Sequence, residues 1–279
     1  MTERSSRVNF LFLGGDKCGS TWLDFILRQH PEVCLAPSKE LFFFDRFFER
    51  GLAWYDRQFP ETKTAVRTGE ICHDYLYSDA ALARIGAALP ADARCLIVLR
   101  HPVERTLSHY RYLLKIGTTR APLADALRQH PGLLDHSLYA PRLAAARRAI
   151  GNARLCVLFY DDLARDPAGF GRRVSDALGL RYLPELPYDT RVLGAAGSRA
   201  PGLTRVLRNA GWGLRRRGAQ RLVSTVKSSA LVQRLLFTET ARSAVDRTAL
   251  TPYLERFRAD HAALSAMLET PPAWTFDPP

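Results

Sequence analysis

What this chain lacks narrows its function before any motif is read. No apolar run approaches the ~20 residues that a helix needs to span a bilayer, so no membrane span is expected. The five cysteines (Cys18, Cys34, Cys72, Cys95, Cys156) are scattered and odd in number, with no Cys-x-x-Cys pair and no Cys/His cluster of metal-ligand spacing. They read as buried free thiols, and no metal is expected. There is no internal repeat and no low-complexity tract. Residues 1–7 are short and polar and leave no room for a signal peptide, which gives a cytoplasmic expectation. Acidic residues are outnumbered, 28 against 40 basic, for a net charge of +12. That balance favours an anionic partner, whether nucleotide, acidic substrate, nucleic acid or membrane surface. Acidic residues vanish altogether across 191–238, which carries ten Arg or Lys, Arg215-Arg216-Arg217 among them. Lysine is scarce beside alanine and arginine, a composition that suits a GC-rich bacterial gene.

What is present suits one large α/β domain over the 279 residues, with 47% hydrophobic and 24% charged residues to build a core and a surface. Val8-Asn9-Phe10-Leu11-Phe12-Leu13 is an apolar run that stops at Gly14-Gly15, a buried strand entering a tight loop. Trp22, Leu23, Phe25, Ile26 and Leu27 then give a helix closed by His30-Pro31. Further strands are expected at 33–36, 65–71, 95–99 and 155–160, with helical patterns at 138–150 and 250–268. Strands alternating with helices predict a central, mainly parallel five-stranded sheet flanked by helices, a three-layer sandwich like that of P-loop NTPases. Ligands of such sheets sit at the carboxyl ends of the strands, where the loops after Leu13, Ile71 and Leu99 converge.

Two of those loops carry chemistry. Gly14-Gly15-Asp16-Lys17-Cys18-Gly19-Ser20-Thr21 keeps the glycine spacing and final hydroxyl of a phosphate-binding loop, but Ser20 stands at the usual lysine position and the lysine is Lys17. Its backbone N–H groups and the helix start behind it suit an anion. The displaced lysine, with no strand-end Asp for Mg²⁺, argues against ATP hydrolysis. In the second, Arg100 emerges at a strand tip, Pro102 opens a helix, and Arg105 and Ser108 follow. Arg100 and Ser108 together suit a second phosphate, the guanidinium fork matching its oxygens.

With both segments read, the chain resembles sulfotransferases that use 3′-phosphoadenosine 5′-phosphosulfate, in the branch of the heparan sulfate enzymes and their bacterial relatives. The resemblance covers roughly residues 10–180. It continues in Lys39-Glu40-Leu41-Phe42-Phe43-Phe44, Gly51-Leu52-Ala53-Trp54-Tyr55, Gly69-Glu70-Ile71-Cys72-His73-Asp74-Tyr75 and Ser137-Leu138-Tyr139. It implies that Lys17, Cys18, Gly19, Ser20, Thr21 and Trp22 hold the 5′-phosphosulfate. Arg100 and Ser108 would hold the 3′-phosphate, and Gly197-Ser198-Arg199 would form a late nucleotide-contacting loop. Lys17 would neutralise the leaving phosphate, and Glu40, beside three phenylalanines, would be the general base. No metal is implied. Phe42, Phe43, Glu70, His73 and His136 would line the acceptor site. The sequence departs from the family at Ile71, where a lysine is frequent, and at Phe42, where a histidine is common. His73 is therefore a second candidate base and His136 a third.

The expected function is sulfuryl transfer to a hydroxyl or amine of a small-molecule or carbohydrate acceptor, with a bacterial secondary metabolite or a glycoside suggested by the aromatics near Glu40. Alternatives are a P-loop kinase-like enzyme, which would need Mg²⁺ and ATP, and a basic binder of nucleic acid or anionic membrane built on 191–238. The basic segment, about 191–248, is read instead as a helical lid over the substrate. No nucleic-acid partner is expected, and peripheral membrane association stays open.

Overall fold

A computed structural model describes residues 6–192, 196–198, 237–239 and 245–278, with 196–198 and 237–239 described as backbone only. Most of the basic segment read as a lid therefore lies outside the described residues, Arg199 included. The chain groups into two compact units. One comprises residues up to His101 together with Leu138–Val192 and Asp260–Trp274; the other comprises Pro102–Ser137, described residues up to Ala259, and the end of the chain.

The first unit holds the sheet. Strands β1 (Phe10–Gly14), β2 (Val33–Leu35), β3 (Arg67–Ile71), β4 (Arg94–Leu99) and β5 (Leu155–Phe159) pair in the order β2-β3-β1-β4-β5, every pair parallel. The expected α/β class and five-stranded parallel sheet are thus present, with strand ends differing by one or two residues. β1 lies in the middle; the chain runs from it out to β2, back through β3 on one side, and then crosses to β4 on the other. That reversal is the crevice where open parallel sheets place ligands.

Alternation along the strands assigns the layers. Phe10 and Phe12 of β1 with Leu96 and Val98 of β4 join one apolar cluster with α1 (Ser20–Leu27) and the later helix Pro167–Leu178. Leu11, Leu13, Cys95 and Ile97, buried between them in sequence, face the opposite way. On that side the helices Asp79–Ala88 and Ala140–Ile150 pack on one another, and the latter meets β5. The approach of these two helices is very close. A Cβ at Gly86 would sit 2.0 Å from the Ala149 carbonyl oxygen. Local signals set the helix ends: the Ser78 side chain accepts from Ala81 N–H, and Asp166 caps the helix that Pro167 opens. Asp260 caps Ala140–Ile150 from elsewhere in the chain, accepting from the backbone N–H of Tyr139 (2.7 Å) and Ala140 (3.1 Å).

The second unit includes the helices Pro102–Lys115, Leu123–Gln129 and Gly132–Asp135. Arg105, which follows Arg100 in the same segment, is fully buried here. Its Nε donates to Ser137 Oγ at 2.6 Å, and its guanidinium also reaches the Leu133 carbonyl. Arg105 is a rivet between two helices, its charge satisfied internally as burial demands. The strands Ala196–Ser198 and Phe237–Glu239 pair antiparallel, which places Gly197 and Ser198 opposite Thr238 and Phe237. The closing helical pattern begins with a 3-10 stretch, Arg247–Tyr253, and becomes α-helical at Leu254–Ser265. Pro252, which cannot donate an N–H, accounts for the late start. Among the described residues no helix is long and apolar enough to cross a membrane.

Gly86→Ala is expected to force the two packed helices apart and to lower stability by about 2 kcal/mol. Urea unfolding checks this, and a midpoint equal to wild type would refute the close approach.

Candidate active site

The loop between β1 and α1 is held by its neighbours. Gly15 N–H donates to the Val98 carbonyl of β4 at 2.7 Å, which ties the loop to the adjacent strand tip. Gly19 ends the loop in the left-handed region (φ 89°). A Cβ there would sit 3.0 Å from Leu163 and 3.2 Å from Tyr160, so both space and dihedral select glycine. Lys17 also has a positive φ, 63°, a conformation that costs a non-glycine residue energy and tends to persist at functional sites. Ser20 and Thr21 open α1, whose first turn holds no acidic residue. The loop thus presents backbone donors, two hydroxyls and a helix start to one point, with a lysine beside them.

Two loop residues expected to touch a nucleotide face inward. Cys18 is 1% exposed and its thiol donates to the Asp16 carbonyl. Trp22 is buried, its Nε1 donating to the Tyr188 carbonyl at 2.8 Å and its ring edge-on to Phe170. The indole needs both an apolar bed and one acceptor, and the core under the loop supplies them.

Arg100, at the tip of β4, lies beside this loop. Its Nη1 donates to the Lys17 carbonyl at 3.3 Å, and its guanidinium lies over the Tyr160 ring, 4.5 Å from the centroid. The Tyr139 hydroxyl donates to the Arg100 carbonyl at 2.7 Å. Tyr139, in the Ser137-Leu138-Tyr139 segment, and Tyr160, at the end of the strand expected at 155–160, had no site-supporting role legible in the sequence. Ser108 is a half-buried residue of the helix Pro102–Lys115 in the second unit. His136 also belongs to that unit, its ring 6.0 Å from the ring of His109.

The third element is the turn that carries Glu40. Glu40 N–H donates to the Ile71 carbonyl at 3.1 Å, so this turn, which follows β2, is tied to the tip of β3. Glu40 and Phe42 both have positive φ, 60° and 55°. Glu70, expected on the acceptor surface, is instead sealed behind this turn at 1% exposure. Its carboxylate accepts from the Leu41 N–H (2.9 Å), the Tyr55 hydroxyl (2.9 Å) and the Tyr75 hydroxyl (2.6 Å). Burial pushes its pKa up, and the three donors offset only part of that, so the net direction is up. Phe42 and Phe43, also expected at the acceptor, are core residues. Phe43 stacks on Tyr55 at 4.3 Å within a cluster that includes Phe44, Phe48 and Trp54. Fully burying a phenylalanine stabilises by about 2 kcal/mol, and that gain draws these rings into the core.

Glu40 itself faces His73, Oε1 to Nδ1 3.3 Å, with 19% and 29% of the two side chains exposed. On its other nitrogen, His73 Nε2 lies 3.2 Å from Asp74 Oδ1, and Arg46 pairs with the second Asp74 oxygen at 2.5 Å. Burial lowers the His73 pKa, but the hydrogen bond and charge of Glu40, with Asp74 and Asp16, outweigh it and the net direction is up. The histidinium form is favoured, held between two carboxylates. Lys39, the residue before Glu40, points elsewhere: its Nζ lies 3.1 Å from Ser20 Oγ and 3.4 Å from Thr21 Oγ1. Sequence reasoning gave Lys39 no role. Ile71, where the resembling family often has a lysine, is 1% exposed and in the core.

Two outcomes are expected. Glu70→Ala leaves three donors without their acceptor and should cost about 3 kcal/mol in urea unfolding; a loss under 1 kcal/mol would contradict the clamp. A histidine whose folded pKa is raised stabilises below its ordinary value of 6.5, and that contribution disappears as pH rises through the folded value. From pH 6.5 upward, wild type should therefore lose stability relative to His73→Gln; parallel curves would remove the ion pair.

Comparison with known proteins gives a family likeness. A model of the family described as "Sulfotransferase family" matches residues 76–184. Mouse heparan sulfate glucosamine 3-O-sulfotransferase 3B1 is 34% identical over 183 residues, which is 62% of this chain and 46% of that protein. Human heparan sulfate glucosamine 3-O-sulfotransferase 6 is 36% identical over 180 residues, 61% of this chain and 52% of that protein. The chain thus spans about half the length of these curated relatives. The crystal structure of a sulfotransferase from Alicyclobacillus acidocaldarius shares the fold, with a TM-score of 0.58 and 24% identity over 78% of this chain and 96% of that one. These similarities, with the loop geometry that accompanies them, support the sulfotransferase family for this chain.

Proposed function

We propose that the protein transfers a sulfuryl group from 3′-phosphoadenosine 5′-phosphosulfate to a hydroxyl or amine of its acceptor, with Glu40 as general base. The observation that carries this reading is the meeting of two cationic loops at adjacent strand tips, where Arg100 reaches the Lys17 carbonyl. A ligand with anionic groups at both ends fits such a pair better than a single phosphate does. Lys17, Ser20, Thr21 and backbone N–H groups of residues 16–19 would hold the 5′ end, and Arg100 the 3′-phosphate. The donor, when bound, supplies an electron-poor sulfur whose bond to the bridging phosphate oxygen breaks as its bond to the acceptor atom forms. Lys17 offsets the negative charge left on that bridging oxygen, a task suited to a compact ammonium. Glu40 Oε takes the proton from the acceptor, and the adjacent His73 favours the ionised carboxylate that a base must be. No residue here needs a metal to perform these tasks.

For the acceptor, the relatives named for heparan sulfate glucosamine favour a glycan over an aromatic small molecule. The burial of Phe42 and Phe43 points the same way, because it removes the aromatic surface that suggested an apolar ligand. The net charge of +12 suits an acidic glycan. A bacterial setting remains part of the proposal from composition alone.

Calorimetry tests the donor. 3′,5′-Adenosine bisphosphate should bind with roughly micromolar affinity without Mg²⁺, with ATP much weaker. Arg100→Ala should weaken the bisphosphate by tenfold or more. Equal affinity for ATP would favour a kinase instead. Glu40→Gln should lower turnover by about a hundredfold or more, the scale of lost general-base catalysis, with nucleotide affinity within twofold of wild type. Undiminished turnover would remove it as the base.

A further inference from the structure

A lysine from outside the loop reaches the start of α1. Lys39 is eighteen residues beyond Thr21 in sequence, yet its ammonium donates to Ser20 Oγ at 3.1 Å and Thr21 Oγ1 at 3.4 Å. The N-terminus of a helix carries partial positive charge and favours anions, and no acidic residue lies in this first turn. The Lys39 ammonium adds full positive charge at the same point, a combination that suits an incoming anion. The hydroxyls make the same point through their protons. An oxygen that accepts from an ammonium keeps its own O–H to donate, so Ser20 and Thr21 are set as donors toward an anion at the loop.

The backbone holds this arrangement in place. Glu40 N–H is bonded to the Ile71 carbonyl and Leu41 N–H to the buried Glu70 carboxylate, so the peptide that carries Lys39 is fixed to β3 from behind. With Glu40 in the left-handed region, consecutive side chains diverge: Lys39 goes to the loop hydroxyls and Glu40 to His73.

We propose that Lys39 is a second cation for the 5′-phosphosulfate, sharing that group with Lys17 and delivered on the same turn as the base. The inference rests on the donor reading above and extends it to a residue outside the loop. Its consequence is geometric. The group that grips the donor end and the group that deprotonates the acceptor are neighbours on one rigid turn, so the two halves of the reaction share a single mount.

Calorimetry on purified full-length protein separates this from the donor reading. The ligands are 3′,5′-adenosine bisphosphate and adenosine 3′-monophosphate, which lacks the 5′ phosphate. Lys39→Gln keeps a hydrogen-bond donor for Ser20 and Thr21 but removes the charge, and Lys39→Arg keeps the charge. Lys39→Gln should weaken the bisphosphate by about tenfold, reduce the salt dependence of its affinity and leave the 3′-monophosphate unchanged; Lys39→Arg should recover most of the loss. Arg100→Ala should weaken both ligands, which marks the other end of the site. Wild type binding the bisphosphate while Lys39→Gln binds it equally well would overturn this inference alone. An equal loss for both ligands would also overturn it, since that is the result of a merely structural lysine. Wild type failing to bind the bisphosphate would sink the donor reading, and this inference with it.

Discussion

A carboxylate enclosed in protein must be compensated, and the way Glu70 is compensated organises the active face. Its three donors come from three places: a backbone N–H in the Glu40 turn, a tyrosine on the helix Leu52–Asp56, and a tyrosine just after β3. Removing one partner from such a group is expensive because the charge stays buried. The turn is therefore fastened to the strand by a bond that solvent cannot replace. The aromatic cluster of Phe43, Phe44, Tyr55 and Tyr75 surrounds that bond and keeps water from it. Packing and polar satisfaction act together here, and both end at the backbone of Leu41.

The sheet provides the other half of the arrangement. Adjacent parallel strands deliver their carboxyl ends to the same edge, so loops far apart in sequence become neighbours without any further device. β1 brings Lys17, β4 brings Arg100 and β3 continues into the turn before His73. Tyr160, at the end of β5, supplies the ring on which Arg100 rests. A guanidinium so placed loses less freedom on gripping a phosphate than one waving in solvent. The strand order thus converts four separate chain segments into one electropositive edge.

The sequence made the fold and its two cationic loops readable because both depend on short-range signals. Apolar runs ending in Gly14-Gly15 or in Arg100-His101-Pro102 announce strand tips by themselves. Other residues were not readable. Phe42, Phe43 and Trp22 looked like ligand contacts beside functional residues, but whether an aromatic ring faces a ligand or the core is decided by elements distant in sequence. Tyr188 is the partner that takes Trp22 inward, and Tyr55 takes Phe43. Glu70 was misread for the same reason, its partners being tyrosines 15 and five residues away and a backbone group 29 away. Arg105 shows the converse, a charged residue in a promising motif that is consumed by helix packing. Lys39 escaped notice because an exposed-looking Lys-Glu pair suggests a local ion pair. The left-handed backbone at Glu40 is what parts them, and no residue type announces that conformation.

That backbone has an implication for engineering. Lys17, Glu40 and Phe42 each occupy a region of dihedral space where glycine or asparagine would sit at lower energy. A redesign that scores thermal robustness alone would replace the first two and gain in melting temperature while discarding the ammonium and the carboxylate. Thermostabilised variants of this scaffold should therefore be sought elsewhere, with these positions frozen, because here the chain has traded conformational comfort for reach.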